Sequence, residues 1–492
     1  MTPIVATLCL AALFPLQARC EREKAPAPCL PVPSEQQIRL QDMEMYAFIH
    51  YSLNTYTDQE WGYGDEPPSL FNPSDLDCRQ WARVCKSAGM RGIILTAKHH
   101  CGFCLWPSAY TDYSVRNSPW KNGQGDVVRE LADACRREGL KFAVYLSPWD
   151  RHHAQYGRPE YVTYFRHQLQ ELLTRYGPIF EIWFDGANGG DGWYGGARET
   201  RSIDRHSYYR WEETFPLVRR WQPDIVIWSD AGGPRGDLRW VGTEAGFVGT
   251  ENWSLLPGEG DLSRPLLQHG SPEGNLWVPG EVDVSIRPGW FYHVREDAQV
   301  KSVGQLMDIY YKSVGRNSTL LLNFPVMPSG RIHPTDSLRA AAFGKAVREA
   351  FRRDLARGAH ATASNVRAGS RRYQAGNVLG PPRPNRYWAT DDSVRQATLV
   401  LRFARPTEFN RILLEEPIAL GQRIRSFSLE ALVGGRWVAL RDQLSSEPDA
   451  LTTVGRRRIL CFPTVTATPV RLTVREARAC PLLSRFSVYC VR

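Results

Sequence analysis

The chain predicts an α/β protein: a (β/α)8-type (TIM-like) barrel followed by an all-β sandwich. Three observations carry this. From about residue 44, short apolar runs alternate with amphipathic stretches, the pattern of repeated strand–helix units on a parallel sheet. At least five such units, with about 300 residues to place, favour a closed barrel over an open sheet. After about residue 355 the runs become short and partly alternating, with Gly, Pro and charged turns between them, the texture of an antiparallel sandwich. The expected division is a leader over 1–20, a barrel over 35–350 and a sandwich over 360–492.

The barrel strands are read at Met45–Tyr51, Gly92–Ala97, Lys141–Leu146, Ile179–Phe184 and Asp224–Trp228. Between them, Asp77–Ala88 stops at Gly89. Val127, Val128, Leu131, Ala132 and Cys135 share one helical face, with Asp126 to cap its start and Gly139 its end. Tyr161–Tyr176 stops at Gly177-Pro178, and Tyr208–Trp221 at Gln222-Pro223. In the sandwich, Leu399–Phe403, Ile412–Leu414, Phe427–Leu432, Trp437–Leu440, Arg458–Phe462, Val470–Val474 and Phe486–Cys490 read as separate short strands.

The composition, 42% hydrophobic and 23% charged over 492 residues, excludes a disordered chain, a collagen-like fibre and a coiled coil. A net charge of +9 spread over this length is weak ground for nucleic acid, and no nucleic-acid partner is expected. The 16 Trp, 20 Tyr and 19 Phe either pack a core or stack on rings. Ile4–Leu16 is apolar but too short to span a bilayer; it resembles a secretory signal without the usual positive charge before it. Leu16-Gln17-Ala18-Arg19-Cys20 resembles a lipoprotein cleavage site with Arg19 where a small residue belongs. The expectation is export to the periplasm, the outer membrane or the medium, with membrane contact only through a lipid on Cys20. The Cys101–Cys104 pair has no second C-x2-C partner, so buried thiols or one local disulfide are expected rather than a zinc ribbon.

Polar residues collect where strands end, the place of chemistry in such barrels. His50 closes the first run, Lys98-His99-His100 the second, Ser147-Pro148-Trp149-Asp150 the third, Asp185-Gly186 the fourth and Ser229-Asp230 the fifth. In Ile179–Asp185 the strand period puts Glu181, Trp183 and Asp185 on one face. A rim carboxylate beside a Trp suits a nucleophile at a sugar carbon; an Asp capping the next helix is the plainer alternative. Glycoside hydrolysis needs a second carboxyl group, ~5–5.5 Å away in a retaining enzyme and ~6.5–9.5 Å in an inverting one. Asp230, Glu244 and Glu251 are the candidates. The histidines suit hydroxyl binding better than metal, because neutral imidazole both donates and accepts. The residue two after His50 is Ser52, so the paired first-strand His of metal-dependent barrels is missing. No cofactor and no metal are expected.

At these residues the chain resembles the α-L-fucosidases of glycoside hydrolase family 29. The likeness runs from Met45 to about Phe324 on Phe48-Ile49-His50-Tyr51, Glu60-Trp61-Gly62, Lys98-His99-His100, Ser147-Pro148-Trp149-Asp150, Trp183-Phe184-Asp185-Gly186, Arg239-Trp240-Val241-Gly242 and Ile286-Arg287-Pro288-Gly289-Trp290-Phe291-Tyr292. The Ser-Pro-Trp-Asp and Ile-Arg-Pro-Gly-Trp-Phe-Tyr segments resemble the subfamily selective for α-1,3/1,4-linked fucose. The resemblance implies a retaining, metal-free reaction on a fucosylated oligosaccharide or glycoconjugate. It implies Asp185 as nucleophile and Glu244 as acid/base, with Glu251 its rival. It also implies a fucose pocket of His50, Glu60, Trp61, His99, His100, Tyr145, Arg239 and Trp290. Cys101 stands where the family usually has Asp. The C-terminal part resembles galactose-binding-like (discoidin-type) sandwiches at Thr362–Asn365, Tyr387–Asp391 and Phe409–Leu414, which bind sugar or calcium or only buttress. The competing readings are a fucosylated-glycan-binding protein on an inactive barrel and a metal-dependent hydrolase.

Overall fold

The computed structural model describes residues 24–187, 194 and 197–491. The leader, Cys20 and the tip of the glycine-rich loop at 188–190 lie outside them. Eight parallel strands make one sheet: β1 (Met45–Ile49), β2 (Gly92–Lys98), β3 (Lys141–Leu146), β4 (Glu181–Phe184), β5 (Val226–Ser229), β6 (Arg239–Trp240), β7 (Gly280–Ser285) and β8 (Thr319–Asn323). Their order is β5-β4-β3-β2-β1-β8-β7-β6. A parallel bridge between Trp228 and Leu238 brings β5 against the approach to β6. There the Asp237 carboxylate takes the Ile227 N–H at 2.8 Å, while the Asp237 N–H reaches the Ile227 carbonyl at 2.7 Å. The sheet thus comes close to closing on itself.

Local sequence explains the helices. Asp77 caps α2 (Cys78–Ser87) and Asp126 caps α3 (Val127–Glu138), each accepting a backbone N–H of the first turn. Ser34 and Gln37 form a capping box on α1 (Glu35–Gln41), and Gln37 then bonds to the Asp237 and Trp277 carbonyls at 2.8 Å. After β3 comes α4 (Pro159–Arg175), with Pro in its first turn. The next helix, α5, runs Trp211–Trp221 rather than from Tyr208, because Arg210 before it is left-handed at φ 52°. No helix separates β5 from β6. The short α6 (Arg264–His269), then α7 (Val303–Lys312) and α8 (Pro334–Ala350), follow β6, β7 and β8.

The barrel floor is polar. Glu181 and Glu281 face each other inside it, Tyr46 donates to Glu281, and the Trp183 indole N–H donates to Glu281 Oε1 at 2.8 Å. Burial, then the Glu281 charge, pushes the Glu181 carboxyl well up; burial lifts Glu281 to about 7. The pair therefore keeps a proton at neutral pH. Trp183 stacks on Trp228 at 3.4 Å above it.

The second unit is a seven-stranded antiparallel sheet, β9 (His360–Ala363), β10 (Ala397–Glu415), β11 (Ile424–Val433), β12 (Arg436–Ala439), β13 (Arg458–Ala477) and β14 (Arg485–Tyr489), with Leu451–Thr452 added to β11. Four of the expected short strands are two long ones. Leu399–Phe403 and Ile412–Leu414 both belong to β10, and Arg458–Phe462 and Val470–Val474 both belong to β13. Register shifts between Arg402 and Thr407 and between Phe409 and Arg411 mark irregularities where the paired strands run on.

A polar seam joins the two units. Thr453 accepts the Asn252 N–H at 3.0 Å, Gln422 accepts the Ser254 N–H at 2.8 Å, and Arg458 donates to the Thr250 carbonyl at 2.8 Å. Buried Glu415 collects Arg456 and Arg457, which also pair with Asp42 and Glu44. All nine cysteines among the described residues are free, Cys101 and Cys104 included; seven are buried. No helix among the described residues is long and apolar enough to cross a membrane.

Candidate active site

The strand ends of β1, β2, β3, β4 and β8 converge on Asp185. Its Oδ2 accepts the Tyr145 hydroxyl at 3.1 Å and its Oδ1 the Ala187 N–H at 2.7 Å. Two donors on different oxygens fix the carboxylate's rotation. Tyr145 is itself held by stacking on Trp183 at 5.5 Å. Gly186 must be glycine: a Cβ there would stand 2.5 Å from the Asp230 carbonyl oxygen.

Three packed histidines lie beside these strand ends, and one of them, His100, faces the carboxylate. His100 Nε2 is 3.8 Å from Asp185 Oδ2, and its Nδ1 meets Ser147 Oγ at 2.7 Å. Ser147 gives its own hydrogen to the Trp149 carbonyl at 2.6 Å, so it accepts from His100. Nδ1 of His100 therefore carries the proton and Nε2 presents a lone pair. His50 follows the same logic. Asn323 donates its amide to Ser285 and to the Trp290 carbonyl, turning Oδ1 toward His50 Nδ1 at 2.8 Å. His99 packs between His100 and Phe291, and its Nδ1 is buried without a partner. Burial lowers all three: His50 to about 3, His100 to about 4 with the Asp185 charge opposing, and His99 well below the ordinary value. They are neutral hydrogen-bonding groups near neutral pH.

Glu244 joins from the loop after β6. The Trp290 indole N–H donates to its Oε2 at 3.1 Å. Removal of water raises its pKa; the Trp290 bond lowers it, and the charges of Asp185 and Glu60 raise it again. Glu251 is not among the groups that raise Glu244. It is exposed, accepts the Trp253 indole N–H at 2.8 Å and carries His269 on its carbonyl. Asp230, at the end of β5, is lifted to about 6 by burial, with Arg205 opposing and Asp185 adding to the rise.

The remaining expected residues divide. Trp61 is half exposed and meets His100 and Trp149 edge-on at 5.6 and 5.4 Å. Trp290 lies 5.1 Å from His50. Glu60 works through its neighbours: it accepts the Trp290 and Phe291 N–H groups and His293 Nε2, and so pins the loop carrying Trp290. Arg239 is a correction. It lines the cavity beside Asp230 but offers a sugar no free donor, because its buried guanidinium is consumed by the Leu267 and Val278 carbonyls and by Asn252 Oδ1. Burial without a carboxylate lowers it to about 9. His152 and His153 also stay apart: His152 stacks on Tyr113 at 3.7 Å, and His153 lies 4.0 Å from Tyr164. Lys98 points away into a cage of Asp150, Gln168 and Tyr161.

Sequence reasoning missed Asn323 and Asp283. Asn323 closes the apolar run of β8, a signal as plain as the one that exposed Asp185. Asp283 is buried on β7 with Oδ1 unpartnered, raised by burial and by Glu244. Alternation of Glu281 and Asp283 with valines hides β7 as a half-exposed strand. Among the described residues no group of three or more His, Cys, Asp or Glu is arranged to hold a metal ion.

The family described as Alpha-L-fucosidase matches residues 32–349. Alpha-L-fucosidase 1 of Arabidopsis thaliana is 43% identical over 473 residues, covering 94% of this chain and 88% of its own. A glycoside hydrolase 29 family member from an unknown rumen bacterium superposes with a TM-score of 0.86 at 61% identity, covering 94% of this chain and 78% of that one. A Ruminococcus gnavus family 29 fucosidase, solved in complex with fucose, superposes at 0.84 and 29% identity, over 95% and 97% of the two chains. With the match spanning barrel and rim alike, the chain belongs to the α-L-fucosidases of glycoside hydrolase family 29.

Proposed function

We propose that the enzyme releases L-fucose from α-1,3/1,4-fucosylated glycans as a retaining, exo-acting hydrolase. The observation that carries this is the pairing of Asp185, oriented by Tyr145 and Ala187, with Glu244, whose carboxyl is raised in part by the Asp185 charge. Asp185 attacks the anomeric carbon as Glu244 gives its proton to the departing glycosidic oxygen. Glu244 then takes a proton from water, which attacks the same carbon and frees Asp185. The lone pairs on His50 and His100 Nε2 suit fucose hydroxyls as donors, and Trp61 and Trp290 suit the apolar face and methyl group. A cavity of about 930 Å³, lined by Asp230, Arg235, Trp240 and Asp261 among others, opens beside this pocket and suits the rest of a branched glycan. We read the second unit as a galactose-binding-like buttress, on the strength of the seam at Thr250–Ser254. We read the chain as exported, with the alternatives at Cys20 decided by mass spectrometry of the mature N-terminus.

Asp185→Asn should fold normally and lose most turnover; wild-type-like activity sinks the assignment. Glu244→Ala should regain rate with azide, whereas recovery in Glu251→Ala or Asp230→Ala instead would move the acid/base there. Proton NMR of the first product should show the α-anomer, and a panel of α-1,2-, α-1,3-, α-1,4- and α-1,6-linked oligosaccharides should show the 1,3 and 1,4 linkages cleaved fastest.

A further inference from the structure

The charge of the chain is divided unevenly. Residues 351–492 hold 24 Arg, no Lys and 11 acidic residues, a net +13, while residues 1–350 hold 37 basic and 41 acidic residues, a net −4. A cationic unit is thus attached to a slightly anionic barrel. Arg402, Arg405, Arg436 and Arg475 are exposed and, among the described residues, pair with no carboxylate.

Part of this charge lies on one sheet face. Along β10, β11 and β13, Leu399, Leu401, Leu429, Ala431, Leu472 and Val474 are buried, so their neighbours in sequence face outward. The register sets Thr398, Thr473 and Ser428 in one row, and Val400, Arg471, Glu430 and Ala439 in the next. Arg402 and Arg475 extend this face. On edge strand β12, Trp437 is 38% exposed, and the Arg471 guanidinium lies 4.1 Å from its ring centroid. Glu430 Oε2 accepts both Arg471 Nε at 3.0 Å and Nη2 at 2.7 Å. The indole and guanidinium are therefore fixed before any ligand arrives, which lowers the ordering cost of binding.

We propose that this outward face is a docking platform for an acidic glycan, a chain of sugar rings carrying carboxylate or sulfate groups. Trp437 supplies a ring to stack on, the part-exposed Thr398 and Thr473 offer hydroxyls to the sugar, and Arg402 and Arg475 present planar forks for the anionic groups. The charge asymmetry selects an acidic partner; the choice of a glycan rests on the barrel's action on glycans. The platform would hold the enzyme on acidic glycoconjugates while the barrel works on their fucose.

The test uses the full chain in about 0.15 M salt, where only close charge pairs survive screening. Surfaces carrying heparin, polysialic acid or neutral dextran are compared, with phosphatidylglycerol vesicles and duplex DNA as further arms. Heparin or polysialic acid should bind and dextran should not. Trp437→Ala, and Arg402→Ser combined with Arg475→Ser, should each weaken that binding about tenfold or more, with turnover of an uncharged aryl fucoside unchanged. If Trp437→Ala perturbs the edge strand, the double arginine variant decides alone. No binding to either acidic chain, undiminished binding by the variants, or equal binding to vesicles or DNA overturns the proposal. A wild-type chain that binds but releases no fucose would overturn the catalytic reading instead.

Discussion

Trp290 does two things with one side chain: its ring flanks His50, and its indole N–H steadies the Glu244 carboxylate. Because that hydrogen bond favours the ionised form, its removal must raise the Glu244 pKa. Trp290→Phe should therefore move the alkaline limb of kcat/KM upward, in a pH profile on an aryl fucoside; an unmoved or lowered limb means Glu244 is not the acid being titrated. The histidines should add no alkaline limb, since burial holds His50 down to about 3 and His100 to about 4. Residue identity was legible in sequence wherever a polar side chain closed an apolar run. Direction was not. Arg239 stands on the right strand but spends its guanidinium on the Leu267 and Val278 carbonyls and on Asn252, and Glu60 acts through the backbone of another loop. Both facts depend on where distant segments come to lie.

At the scale of elements, the loop between β7 and α7 is held by Glu60 and Asn323 and, on its outer side, by one buried arginine. Arg287 donates from Nε and Nη2 to both oxygens of Asp336 on α8, at 2.8 and 2.9 Å, and from Nη1 to Asp297 at 2.9 Å. Removing Asp336 leaves a buried guanidinium half compensated. Asp336→Ala should cost about 3–5 kcal/mol in denaturant unfolding, with a rise in KM as the Trp290 loop loosens; a loss below about 1 kcal/mol would show the pair to be dispensable. The first five strands were legible because each is a continuous apolar run bounded by turn signals. The last three were not read: β6 is two residues long, and the interior of β7 is acidic. In the second unit the alternation was visible, but nothing local shows that a strand continues through an irregularity, so two long strands read as four.

Across the whole molecule, protons link the barrel to pH. Glu281, at about 7, and Asp230, at about 6, have carboxyl groups raised above their unfolded values, and Glu181 and Asp283 are raised further. Such groups contribute stability below the unfolded carboxyl range, and that stability is lost as pH rises through about 6 and then about 7. The lowered histidines act in the opposite sense: their contribution is present above about 6.5 and lost on acidification toward about 4. With Glu416 also raised to about 7 by burial, the acids outnumber the four lowered histidines, so the Tm should fall from pH 5.5 to pH 8, and Glu281→Gln should flatten the slope. A Tm that climbs with pH would refute the protonated floor. The seam acts at the same scale, since Thr250–Ser254, just beyond Glu244 in the chain, rests on Gln422, Thr453 and Arg458 of the second unit.

The free cysteines bear on how this enzyme is handled. Burial pushes all seven buried thiols up, Cys101 to about 12, so little thiolate is available to oxidants or alkylating reagents while the fold is intact. No covalent staple among the described residues has to form during synthesis. Production in a reducing bacterial cytosol, without an oxidising strain or an isomerase, should yield the same active protein, and alkylation of the intact fold should spare these seven thiols while reaching the half-buried Cys29 and Cys490.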